Sequence, residues 1–281
     1  MIPKCLIYTA FRQNANFPVV PAAATFVFRG QPEYIIGLHR FTADLRGTDP
    51  AEIPNRGDFR TIMPEPNTFF TYVRHGETDG NIGGHLQGWA DGRLTENGRA
   101  QAKAVAEALR NEKFDVIFTS DLDRARRTAE AIRDAGHAGI PFVITRTLRE
   151  WNTGDCNDIS WAALRAQYPQ LADTFLREQG ESVFPNGESR IQCQERINSF
   201  LDQCLAEWRG GSILLVSHGG ILQRVFRRIA GAVDPGNLVP LAGNASISRF
   251  LYNGTHRAWQ LTEWNNRSHL AGLPEHLLFG K

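Results

Sequence analysis

From Asn67 onward the chain alternates short apolar runs with stretches of helical periodicity, and this alternation restricts the fold more than any other feature. Residues 68–73 read as a buried strand, followed directly by Arg74-His75-Gly76. Residues 114–118 read as a second strand, with Ser120 just beyond it, and residues 142–145 as a third. Residues 213–216 are wholly apolar, which predicts a strand at the centre of a parallel sheet. Between these runs, Thr95 caps a predicted helix with Ala102, Val105 and Leu109 on one face. Ala125, Ala129 and Ile132 mark another, ending near Gly136. Helical regions follow at about 161–179, at 189–208 and after His218. Residues 246–252 and 258–264 flank Asn253-Gly254, the dipeptide of a tight hairpin turn. Strands alternating with helices predict a layered α/β fold. Ligands in such folds gather beyond the carboxyl ends of the strands, where Arg74, His75, Ser120 and His218 all stand.

The first part of the chain differs. Residues 25–28 and 34–38 are apolar runs around Arg29-Gly30-Gln31-Pro32, which predicts a β-hairpin. Asp49-Pro50, Pro54, Asn55, Gly57, Pro64 and Pro66 then predict a loop or linker. The expected division is an N-terminal extension over 1–66 and a catalytic domain over 67–281.

Composition narrows the function classes. A net charge of +1, with no basic face interleaved with aromatics, argues against nucleic acid as a partner. The opening MIPKCLIYTAFRQ lacks the apolar run of a signal peptide, and no stretch reads as a membrane span. Cys5, Cys156, Cys193 and Cys204 form no C-x-x-C pair, so they read as reduced cysteines of a cytoplasmic protein rather than as a zinc site.

Four elements can carry chemistry. An imidazole beside a guanidinium at a strand end (Arg74-His75) suits anion binding with nucleophilic attack, because Arg presents a rigid fork of donors that matches phosphate. The cation also disfavours the protonated imidazole and leaves a lone pair free. His218-Gly219-Gly220 opens a predicted helix whose N–H groups can face an anion. Arg124 and Glu150 each follow a predicted strand. Taken singly, these are a surface turn, a strand-to-helix turn, a solvated helix residue and a surface charge. Their order within one α/β pattern is what sets them apart.

The set resembles the histidine phosphatase superfamily, the phosphoglycerate mutase-like group, over roughly residues 67 to 272. The similarity is carried by Arg74-His75-Gly76-Glu77-Thr78, Asn81, Gln87-Gly88 and Leu94-Thr95 with Gly98. It continues through Ser120-Asp121-Leu122, Arg124-Ala125, Thr128-Ala129, Leu148-Arg149-Glu150 and Pro185 with Gly187-Glu188-Ser189. Val216-Ser217-His218-Gly219-Gly220, Asn244-Ala245-Ser246-Ile247, Trp264-Asn265-Asn266 and His269-Leu270 complete it. The resemblance implies an α/β/α fold around a mostly parallel sheet and a phosphomonoesterase that acts on a small-molecule phosphate ester. His75 would be the nucleophile, forming phosphohistidine. Arg74, Arg124, His218 and Asn81 would hold the phosphoryl oxygens, with Gln87, Gly88 and Gly219 beside them. Glu150 would protonate the leaving oxygen and then activate water. No metal or other cofactor is implied, since the arginines supply positive charge.

The chain departs from the family pattern at Gly80, where a Trp is common, at His85, where an Arg is common, and at Asp155-Cys156-Asn157-Asp158. Trp89, Trp151 and Trp161 are candidates to line the pocket or to pack elsewhere. A phosphoglycerate mutase is the first alternative, although Trp151-Asn152-Thr153 stands where mutases of the family carry Arg-His-Tyr. A kinase-linked bisphosphatase lacks support, because no phosphate-binding Gly-Lys loop is present. An inactive scaffold is the non-enzyme alternative. The extension would either cover the pocket or form an arm of a homodimer.

Overall fold

A computed structural model describes residues 64–177, 182–231 and 239–274, the side chains of 176 and 177 excepted. The expected extension and its hairpin lie outside the described residues, apart from 64–66. In chain order the elements are β1 (Thr68–Arg74), α1 (Asp79–Ile82), β2 (His85–Leu86), α2 (Glu96–Leu109), β3 (Val116–Ser120) and α3 (Asp123–Ile132). They continue with β4 (Phe142–Thr145), β5 (Ile159–Ser160), α4 (Trp161–Gln167), α5 (Pro169–Arg177) and α6 (Arg190–Glu207). Last come β6 (Ser212–Ser217), α7 (Gly219–Ala230), β7 (Ile247–Asn253) and β8 (Ala258–Asn266).

Six strands form one sheet in the order β4-β3-β6-β1-β7-β8. The first four are parallel neighbours, and β7 and β8 extend the sheet in antiparallel fashion. Strand β6, with its apolar run at 213–216, lies inside the sheet, between β3 and β1. Its side chains alternate between two cores, because successive residues of a strand point to opposite faces. Ile213 and Leu215 join Phe70, Ile197, Leu201 and Leu222 on the face covered by α6 and α7. Leu214 and Val216 join Val105, Leu109, Ala129 and Ile132 on the face covered by α2 and α3. The fold is therefore α/β/α with a mostly parallel sheet. Thr95 caps α2 by accepting from the Gly98 N–H, and Ser189 forms a capping box with Gln192 at the start of α6.

Two local expectations need correction. The helical region predicted over 161–179 is two helices, broken at Tyr168-Pro169. Proline disfavours helical backbone at the residue before it, and Tyr168 has φ −134° and ψ 61°. The β7–β8 hairpin also does not turn on Asn253-Gly254. Asn253 is still paired with Ala258, so the loop is 254–257, with Arg257 in the left-handed region at φ 49°. The Asn253 carboxamide oxygen accepts from the His256 N–H at 2.9 Å, which closes the wider loop. Gly254 is required for a different reason: a Cβ there would lie 2.4 Å from the Pro66 carbonyl oxygen. Among the described residues no helix is long and apolar enough to cross a membrane.

Candidate active site

A cavity of about 130 Å³ opens at the carboxyl ends of the parallel strands. Arg74, His75, Asn81, Gln87, Gly88, Arg124, Glu150 and Gly219 all line it. These residues come from separate stretches of the chain, and β1, α3 and α7 bring them together. His218 does not reach the cavity. It is fully buried behind His75, with ring centroids 5.2 Å apart.

The backbone of His75 is tied on both sides. Its N–H donates to the Ser217 carbonyl at 2.9 Å, and its carbonyl accepts from Ala245 N and Asn244 Nδ2, each at 3.1 Å. On the ring, Nδ1 lies 2.7 Å from the Gly76 carbonyl oxygen. A carbonyl only accepts, so Nδ1 carries the hydrogen and Nε2 keeps its lone pair. Burial, reinforced by the Arg124 and Arg74 cations, holds the imidazole well below its ordinary range, so it is neutral at pH 7.

The two arginines are buried and braced. Arg74 Nη1 donates to the Ala242 carbonyl at 2.6 Å. Arg124 stands in the first turn of α3, where an isolated reading makes it a solvated residue. Instead it is 1% exposed, and Nη1 and Nη2 donate to the Ala90 and Gly88 carbonyls at 2.7 and 2.8 Å. Burial lowers each guanidinium to about 10, so both remain charged at pH 7, and Glu150 opposes that shift in both. Arg124 Nε donates to His218 Nδ1 at 3.2 Å, and His218 Nε2 donates to Ser120 Oγ at 2.9 Å. The Tyr72 hydroxyl clamps the His218 backbone, donating to its carbonyl at 2.7 Å and accepting from its N–H at 3.0 Å. Asn81 Oδ1 accepts from Asn244 Nδ2 at 3.1 Å, and Gln87 Oε1 accepts from Thr78 Oγ1 at 3.0 Å.

The Glu150 carboxylate meets the amino end of α7. Oε2 accepts from Gly220 N at 3.1 Å and Oε1 from Trp151 N at 2.9 Å. The helix terminus expected to face an anion thus holds a carboxylate of the protein itself. The backbone of this segment is held by Arg196, which donates to the carbonyls of Thr147, Arg149 and Glu150 at 2.7, 2.9 and 3.3 Å. Arg196 is itself paired with Glu188 at 2.7 Å. Trp89 Nε1 adds a bond to the Glu150 carbonyl at 2.7 Å. Of the three tryptophans considered from sequence, Trp151 and Trp161 line the cavity, while Trp89 acts on the Glu150 backbone.

Tyr72 and Arg196 were not assigned to the site from sequence, and the bonds made by the Ser120 hydroxyl and the Trp89 indole were not foreseen. Their partners lie far away in the chain, as with Tyr72 and His218, 146 positions apart, so no local spacing marks them. Among the described residues no cluster of His, Cys, Asp or Glu stands where it can hold a metal ion. The arrangement combines a neutral imidazole lone pair, two fixed cations and a carboxyl at a helix terminus. It can bind an anion and transfer a group to nitrogen.

The model of the histidine phosphatase superfamily, branch 1, matches residues 70–267. The chain is 32% identical over 209 residues to the metal-independent phosphoserine phosphatase of Arabidopsis thaliana, spanning 73% of this chain and 84% of that protein. It is 34% identical over 205 residues to a Yersinia pestis protein described as probable phosphoglycerate mutase GpmB, spanning 73% and 93%. Among solved structures, a mycobacterial glucosyl-3-phosphoglycerate phosphatase superposes with a TM-score of 0.64 at 29% identity, covering 72% of this chain and all of that one.

Proposed function

This chain belongs to the histidine phosphatase superfamily and is a phosphatase; on that premise we propose that it hydrolyses a small phosphate monoester, without a metal ion, through phosphohistidine on His75. One observation carries the reading: the 2.7 Å contact from His75 Nδ1 to the Gly76 carbonyl leaves Nε2 unprotonated in a cavity that Arg74, Arg124 and Glu150 also line. Nε2 attacks phosphorus in line. The bond from phosphorus to the ester oxygen breaks, and protonated Glu150 gives its proton to that oxygen. Water then attacks phosphorus, Glu150 takes the water proton, the phosphorus–nitrogen bond breaks, and phosphate leaves. Arg74 and Arg124 neutralise the equatorial oxygens throughout. Because carbonyls already brace them, they need little reorganisation as charge redistributes. His218, neutral and buried, keeps Arg124 in place and backs the nucleophile.

The small phosphate esters named for the relatives support a small-molecule substrate. The relation to GpmB favours a second reading, phosphoryl transfer between positions of phosphoglycerate. The test of the first reading is phosphate release from p-nitrophenyl phosphate in EDTA by the parent chain and by His75→Ala. Release by the parent, loss of several orders of magnitude in the variant and an acid-labile phosphoenzyme are expected. Equal release by both, or strict dependence on a divalent metal, would sink it. Isomerisation of 3-phosphoglycerate faster than its hydrolysis would establish the mutase reading instead.

A further inference from the structure

The cavity has a second half that the chemistry above does not use. Leu86 on β2, Trp151, Trp161 at the start of α4, Phe175 on α5 and Leu241 line it. The half-buried rings of Trp161 and Phe175, with centroids 5.8 Å apart, form its aromatic face, and the nearly buried Trp151 backs Phe175 at 5.1 Å. Phe184 closes the back of the face, 5.3 Å from Phe175. A face of this kind favours flat apolar groups, which stack offset or edge-on against it.

The polar groups of this half are mostly neutral. Gln223 lines the cavity and can orient a hydroxyl or an amide, whereas the buried Thr153 hydroxyl already donates to Asn157 Oδ1 at 2.7 Å. Among the described lining residues, the only one apart from Arg74, Arg124 and His75 that can carry positive charge is His85. Its Nδ1 is 3.0 Å from the Asp158 carboxylate, so a negative group already stands beside it. A substrate carboxylate reaching for His85 would meet that like charge, which discriminates against it.

Resting on the phosphatase reading above, we propose that the substrate is a monoester with one phosphate as its only anionic group and an uncharged alcohol carrying a flat apolar ring. The wall binds the ring, Gln223 orients its neutral polar groups, and the His85–Asp158 pair at the rim disfavours carboxylate-bearing esters.

The test compares kcat/KM of the full chain for 2-naphthylmethyl phosphate, ethyl phosphate, phosphoserine and 3-phosphoglycerate. All four are esters of weakly acidic alcohols whose leaving oxygen Glu150 protonates, so leaving-group acidity does not dominate. The naphthylmethyl ester should exceed phosphoserine by roughly 100-fold. Trp161→Ala should raise KM for the naphthylmethyl ester about 10-fold, leaving kcat and the ethyl ester little changed. Phe175→Leu, which keeps an apolar side chain, should act in the same direction and serves if Trp161→Ala fails to fold. Preference for phosphoserine or 3-phosphoglycerate in a His75-dependent reaction would overturn this inference and leave the phosphatase reading standing. Equal losses for all esters in both wall variants would also overturn it. No hydrolysis of any ester, p-nitrophenyl phosphate included, would end both.

Discussion

Arg124 donates its Nε hydrogen to Nδ1 of His218 at 3.2 Å, so His218 cannot gain a proton there without losing that bond. With Nε2 donating to Ser120 Oγ, the ring is committed to one neutral tautomer. Burial holds His218 well below the ordinary imidazole range, with Arg124 and His75 adding to the effect, and His75 is shifted the same way.

That shift makes stability depend on pH. Both native-state values lie below the unfolded one, so the unfolded chain binds more protons as the solution becomes acidic. The stabilising contribution is complete above about pH 6.5 and is lost as pH falls below it. Each histidine should contribute a slope of up to about 1.4 kcal/mol per pH unit in that window. Urea unfolding at about pH 7.5 and about pH 5.5 measures it. A flat profile would mean that the rings are protonated in the native state.

Tyr72→Phe removes one hydroxyl that serves both the N–H and the carbonyl of His218. The His218 carbonyl keeps the Leu222 N–H, but its own buried N–H is left unpaired, which costs about 1–3 kcal/mol, so the unfolding midpoint in urea should fall accordingly. Turnover should fall with it, because His218 would no longer hold Arg124 in register. A variant with parental stability would show that water replaces the hydroxyl.

Arg196 and Glu150→Gln should share a signature. Without the Glu150 proton, esters of poorly acidic alcohols should slow by about 10²–10⁴-fold, while p-nitrophenyl phosphate, which leaves without a proton, should change far less. Arg196→Lys cannot span three carbonyls from one ammonium, so it should show the same leaving-group dependence in milder form. Equal slowing of both ester types by Arg196→Lys would reduce Arg196 to a purely structural role.

Gly220→Ala separates stability from activity. Alanine is the better helix former, by about 1 kcal/mol in a helix interior. A Cβ at this position would lie 2.4 Å from Glu150 Oε1 and displace the carboxylate. Thermal melting should hold or rise, and hydrolysis of alkyl esters should drop at least ~10-fold. Unchanged turnover would mean that Glu150 acts from another position.

Some of this molecule can be read along the chain. The unbroken apolar run at 213–216 placed β6 inside the sheet, because a strand covered on both faces buries side chains on both. Thr95 marked the start of α2 through a bond to a backbone N–H only three residues away. The hairpin turn was misread because the Asn253-Gly254 signal is local, whereas Gly254 answers to the neighbouring Pro66 carbonyl.

The sequence alone determined the order along the chain of the six strands of the main sheet and the residues that stand at their ends, since both follow from periodicity and neighbours within a few positions. The tertiary structure decided which atoms of those residues are free to react. The neutral state of His75 depends on burial and on Arg124, 49 positions away, beside the adjacent Arg74; the tautomer of His218 depends on Arg124, and the position of Glu150 on Gly220 and Arg196. Those contacts join residues dozens of positions apart, and only the closed fold excludes the water that would otherwise weaken them.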